Sequence, residues 1–140
     1  AWWLYRRRRR PLPAIAAGPR ISPREEVIAA LERARRAGLV EAGRMKEFYS
    51  QVSDALRRYM DAIEPRWGAD LTTSELAGRM RGLAPDMMTA DVLAILGEAD
   101  LVKFARLRTT PADALARLGA ARAWVDRWDW PRPEPEAKAA

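Results

Sequence analysis

Apolar residues recur at steps of three and four over most of the chain, so the pattern predicts helices. The first begins at Ser22-Pro23-Arg24-Glu25, where a capping hydroxyl, a proline at the first helical position and a glutamate three residues after the cap coincide. Val27, Ile28, Leu31 and Ala34 form its stripe, and Gly38 is its expected stop. The second helix is predicted from Ala42 to about Glu64. Met45, Phe48, Tyr49, Val52, Leu56, Tyr59, Met60 and Ile63 make its apolar face, charged residues fill the rest, and Pro65 ends it.

Trp67–Leu71 reads as a turn or short extended piece. Thr72-Thr73-Ser74-Glu75 is a second capping box, opening a third helix to about Leu83 that carries Leu76, Met80 and Leu83. After Pro85 a fourth helix is predicted from about Ala90 to Glu98, with Leu93, Ile95 and Leu96 apolar. In DLVKFARLR, from Asp100 to Arg108, Val102 and Phe104 alternate with Lys103, as in a short strand. Thr110-Pro111-Ala112-Asp113 caps a last helix bearing Leu115, Leu118, Trp124, Val125 and Trp128. The fold class is therefore mainly α, a single domain of about five helices. A segment near Leu71, two helices and a returning strand at Val102–Leu107 give a winged-helix-like variant with one short β-hairpin.

Charge changes the picture at the amino terminus. The 140 residues hold 25 Lys and Arg against 19 Asp and Glu. Six of the basic residues lie within residues 1–20, which contain no acid, so the remainder carries 19 of each sign. A nucleic-acid-binding domain spreads its cations over a contact face, because affinity comes from replacing counterions along the phosphates. Here the excess sits in one arm.

In that arm Trp2, Trp3, Leu4 and Tyr5 run into Arg6, Arg7, Arg8, Arg9 and Arg10. Aromatic residues at headgroup level followed by cations are how a transmembrane helix leaves the bilayer on its cytoplasmic side, with the arginines against anionic lipid. A span needs about 20 apolar residues, so residues 1–10 read as the end of a membrane helix whose greater part lies upstream of Ala1. The charge follows the apolar residues, the reverse of a signal peptide. Residues 11–21, with three prolines, read as an extended linker. Residues 22–128 are the helical domain, and the proline-rich, charged residues 129–140 an expected disordered tail.

Candidate chemistry is sparse. The chain has neither Cys nor His, which removes thiolate and imidazole nucleophiles, bases and metal ligands. Carboxylate pairs (Asp54 with Asp61, Asp91 with Glu98, Glu98 with Asp100) read as solvated helix faces, and Lys46 four residues before Ser50 is a weak Ser–Lys signal beside Ser53. Of the six tryptophans, Trp67, Trp124, Trp128 and Trp130 read as core or interface residues rather than a base-stacking platform. We expect no enzyme, no catalytic or metal-binding residue and no cofactor.

Several blocks in order resemble a known family. Lys46-Glu47-Phe48-Tyr49, Ser53, Leu56-Arg57-Arg58-Tyr59, Thr72-Thr73-Ser74-Glu75-Leu76 and Ala99-Asp100-Leu101-Val102-Lys103-Phe104-Ala105 resemble the cytoplasmic carboxy-terminal region of bacterial BatD-type aerotolerance proteins. The likeness covers residues 42–107 and extends loosely to Trp128, with Trp67-Gly68 standing as a variant of the family's aromatic–glycine turn. It implies a non-enzymatic protein of the bacterial inner membrane, with this segment on the cytoplasmic face and a β-rich extracytoplasmic part upstream. Its partner would be a MoxR-type AAA+ ATPase or a von Willebrand factor A domain protein. On that reading the polar residues not explained as core, Arg57, Arg58, Thr73, Asp100 and Lys103, are candidate partner contacts. The competing assignment is intradomain, with Arg57 or Arg58 paired to Asp100 and Lys103 capping carbonyls. The alternative function is a winged-helix-like nucleic-acid-binding domain with a basic arm.

Overall fold

The computed structural model describes residues 21–131, so the arm and its linker up to Arg20, and residues 132–140, lie outside the described residues. Five helices follow one another: α1 (Pro23–Arg36), α2 (Met45–Ile63), α3 (Thr73–Met80), α4 (Asp86–Phe104) and α5 (Pro111–Arg127). Three of them start on side-chain caps. Ser22 accepts from the Glu25 N–H at 3.1 Å, Thr110 from the Asp113 N–H at 3.1 Å, and Thr72 from the Glu75 N–H while Glu75 accepts from the Thr72 N–H. Each bond satisfies a donor that the first helical turn leaves open.

The centre of the domain is α2. Its buried residues, from Phe48 to Met60, include Phe48, Leu56 and Met60 with no exposed surface. At 100° per residue they span an arc of about 160°, wider than the stripe that one neighbour covers. Accordingly α1, α4 and α5 all pack against α2, and α3 joins through α4. The turn between α1 and α2 contributes too: Leu39 and Val40 are buried, held by Gly38 in the left-handed region (φ 71°). Trp124 of α5 meets Tyr59 edge-on at 6.2 Å and donates its indole N–H to the Met88 carbonyl at 2.9 Å, locking α5 to both α2 and α4.

The helical class agrees with the sequence reading, but the expected strand and hairpin do not. No strand occurs among the described residues, and the fourth helix runs from Asp86 to Phe104 rather than from Ala90 to Glu98. Val102 stays in helical phase with Ile95 and Ala99, so its burial continues the core stripe, whereas Phe104 turns outward. Phase with the core outweighs the local alternation. The third helix stops at Met80, before Leu83, because Gly82 takes a left-handed conformation (φ 78°) that reverses the chain.

The carboxy-terminal boundary also shifts. Asp129 and Trp130, assigned by sequence to a disordered tail, pack on the body: Arg24 donates to Asp129 at 2.6 Å, and Trp130 lies against Trp67 with ring centroids 4.8 Å apart.

A strand places Val102 and Phe104 on one face, while a helix separates them. Val102→Asp is therefore expected to lower stability by roughly 3 kcal/mol through an unpaired buried charge. Phe104→Asp stays within about 0.5 kcal/mol, as surface changes do. Urea denaturation of both variants checks the contrast, and equal losses would restore the strand.

Candidate functional site

Three of the five candidate contact residues meet in one relay. Arg57 of α2 donates to the Leu71 carbonyl at 2.6 Å and to Thr73 Oγ1 at 2.7 Å, and the Thr73 hydroxyl donates to Asp100 Oδ2 at 2.5 Å. The relay ties α2 to the first turn of α3 and to α4, and it gives Asp100 a polar partner beside the core. The intradomain assignment expects Arg57 and Asp100 to pair directly, and they do not; each contacts Thr73, which stands between them.

The other two candidates face outward. Arg58 is exposed and lines a cleft of about 130 Å³ between α1 and α2 with Glu26, Arg33 and Tyr59. Lys103 sits half-buried in the last turn of α4, its ammonium 5.0 Å from the Phe104 ring centroid. The five residues do not converge on a single cleft. The membrane-interface candidates Trp2, Trp3, Tyr5 and Arg6 to Arg10 lie outside the described residues.

A second polar cluster closes the far end of α2. Glu64, 8 % exposed, accepts the Arg66 guanidinium at 2.8 and 3.0 Å, the Arg66 backbone N–H at 3.1 Å and the Trp130 indole N–H at 3.3 Å. The Arg66 side chain, aided by its backbone N–H, holds the Glu64 carboxyl down at about 2. Glu64 is missing from the sequence reading because its position before Pro65 marks only a helix end; the tryptophan that completes it is 66 residues away.

A third cluster joins α2, α4 and α5. The Tyr49 hydroxyl lies 2.9 Å from Thr109 Oγ1 and 3.4 Å from Glu98 Oε2, and Arg117 pairs with Glu98 at 3.0 Å. Burial pushes the Tyr49 phenol above its ordinary value. The carboxylates paired by sequence spacing go separate ways: Glu98 to Tyr49 and Arg117, Asp100 to Thr73, and Asp91 toward Arg127 at 3.9 Å. No group of three acidic residues among the described residues is placed to hold a metal ion. Ser50 donates to the Lys46 carbonyl at 2.8 Å, and Ser53 is fully buried. Trp67 and Trp124 are buried, Trp130 covers Trp67, and Arg127 lies over Trp128 at 4.8 Å, so the described tryptophans present no open stack.

The described surface also presents large apolar side chains, three of them close together at the end of α4. Leu101, Phe104 and Leu107 are 49, 76 and 43 % exposed. Beyond α4, Arg106 adopts φ 56° and the Leu107 N–H returns to the Leu101 carbonyl at 3.0 Å, which folds Leu107 back over the helix end. A left-handed arginine is unusual, since its Cβ crowds the backbone there. The signal was in the sequence: Leu101, Phe104 and Leu107 are spaced by three, out of phase with Ile95, Ala99 and Val102. A helix with two apolar stripes buries one and shows the other.

Compared with known proteins, the chain matches no family model, no curated protein and no solved structure. No helix among the described residues is long and apolar enough to cross a membrane.

Two measurements test these clusters. Thr73→Val removes the hydroxyl shared by Arg57 and Asp100, so thermal or urea unfolding is expected to show a loss of about 1–2 kcal/mol; an unchanged stability would return these residues to the role of free contacts. Glu64→Gln is expected to cost about 1 kcal/mol at pH 7. Because the folded-state value is depressed from 4.5 to about 2, that advantage is complete above pH 4.5 and fades as pH falls toward 2. A stability difference between wild type and variant that persists undiminished at pH 2 would contradict the assignment.

Proposed function

We propose that this chain is a non-enzymatic interaction domain of a BatD-like membrane protein, held on the cytoplasmic face of the bacterial inner membrane by an anchor upstream of Ala1. Its Arg6–Arg10 cluster sits against anionic lipid, and its helical body docks a protein of a MoxR-type ATPase or von Willebrand factor A assembly. No cofactor is required. The observation that carries the reading is the apolar surface at the end of α4 on a body whose acids and bases balance. Exposed apolar side chains grouped in one place mark interaction sites more often than scattered ones do. The balance of charge over residues 21–140 gives phosphates no cationic face to follow. Arg57, Thr73 and Asp100 are engaged within the domain, whereas Arg58 and Lys103 make no side-chain hydrogen bond or ion pair among the described residues.

Vesicle co-sedimentation separates this reading from the nucleic-acid one. The whole chain is expected to bind vesicles containing anionic lipid and to lose at least tenfold in affinity when residues 1–20 are removed. Residues 21–140 are expected to leave duplex DNA unbound at 50 mM salt. Binding of that body to DNA, weakening by orders of magnitude between 50 and 200 mM salt, would replace the interaction domain with a nucleic-acid-binding one.

A further inference from the structure

We propose that the corner from Leu101 to Arg108 is the docking surface, and that its partner presents an acidic amphipathic helix. The inference rests on the interaction-domain reading and adds to it the place and chemistry of the contact. The corner combines two kinds of group. Leu101, Phe104 and Leu107 are exposed, and Lys103, Arg106 and Arg108 stand among them with no acid from 101 to 108. Several other cations lie against carboxylates, as Arg24 does on Asp129, Arg35 and Arg36 on Glu32, and Arg122 on Asp126. Lys103, Arg106 and Arg108 make no ion pair among the described residues. An apolar centre ringed by unpaired cations is complementary to an apolar stripe ringed by carboxylates.

Charge and apolar exposure decide against a second copy and against nucleic acid. Tyr49, near the start of α2, meets Glu98 and Thr109, so the corner sits at the amino-terminal end of α2. Pro23 shares a cleft with Ala62, so the described chain begins at the opposite end. The two ends are separated by the 19 residues of α2, about 28 Å at 1.5 Å per residue. The corner and the first described residues thus lie at opposite ends of α2. A second copy docking by the same patch would set six cations against one another. Nucleic acid would satisfy the cations but leave Leu101 and Leu107 without an apolar partner. A helix with leucines at three- and four-residue steps and glutamates beside them satisfies both. The hook at Arg106 keeps Leu107 against the helix end, so the patch is preformed and little order is lost on binding.

The test titrates the full 140-residue chain with a synthetic 18-residue helical peptide carrying one leucine stripe flanked by glutamates, followed by amide NMR shifts in 0.1 M salt. Shifts confined to the neighbourhood of residues 99–109 and saturating below 1 mM peptide are expected. Phe104→Ala should weaken binding at least tenfold, and the pair Arg106→Glu with Arg108→Glu should abolish it, with melting midpoints unchanged in both. The same peptide with lysines in place of glutamates should cause no shift. Absence of shifts, shifts centred on another face, equal response to the lysine peptide, or insensitivity to Phe104→Ala would each overturn the proposal. Loss of the corner's signals on anionic vesicles, relieved by Phe104→Ala, would assign the surface to lipid instead. Vesicle binding through residues 1–20 is read separately, so failure of the corner and failure of the membrane arm remain distinct results.

Discussion

The domain depends on covering one helix. An apolar arc as wide as that of α2 cannot be shielded by a single antiparallel neighbour, and leaving Phe48, Leu56 or Met60 wet would forfeit about 1.5–3 kcal/mol each. Three helices therefore converge on it. α1 returns to α2 through the Leu39–Val40 turn, and α4 comes back beside α2 after α3, with Tyr49 meeting Glu98. Trp124 closes the arrangement by filling the space beside Tyr59 while its indole nitrogen finds the Met88 carbonyl.

Polar groups near this core are distributed by the same constraint. A charge half-removed from water must find a partner, and each cluster does so by joining elements that apolar packing alone leaves loosely connected. The small helix α3 packs through α4, and it is the Arg57–Thr73–Asp100 relay that fastens its first turn to α2. Glu64 does the equivalent at the other end, gathering Arg66 and Trp130 so that the last described residues cover Trp67. These networks use up chemistry that, viewed along the sequence, looked available for a partner.

The proposed role follows from what the networks leave over. With most interior-facing polar groups satisfied, one grouped apolar surface left among the described residues is the corner at the end of α4, where a left-handed arginine holds Leu107 against the helix. An adaptor needs a rigid body, a tether and a preformed patch. The body and the patch belong to the described residues; the tether is read from Trp2 to Arg10 in the sequence.

Three helix starts were legible because their causes are local: a cap bond reaches three residues, and Ser22, Thr72 and Thr110 each made the bond their spacing implied. The two helices without a side-chain cap start at Met45 and Asp86 rather than at Ala42 and Ala90. The α2 stripe was legible for the same reason, since its period repeats over five turns. Local sequence could not decide between two apolar stripes at the end of α4. Whether Val102 or Phe104 is buried depends on where α2 and α3 lie, and the strand-like alternation lost to that packing. Nor could spacing join Glu64 to Trp130, or Arg57 through Thr73 to Asp100, because those partners meet only after the helices dock. The sequence by itself determined a charge-balanced body of capped helices on a basic arm. Tertiary structure decided which polar residues turn inward and which apolar ones remain exposed, because burial is a property of neighbours brought from far along the chain.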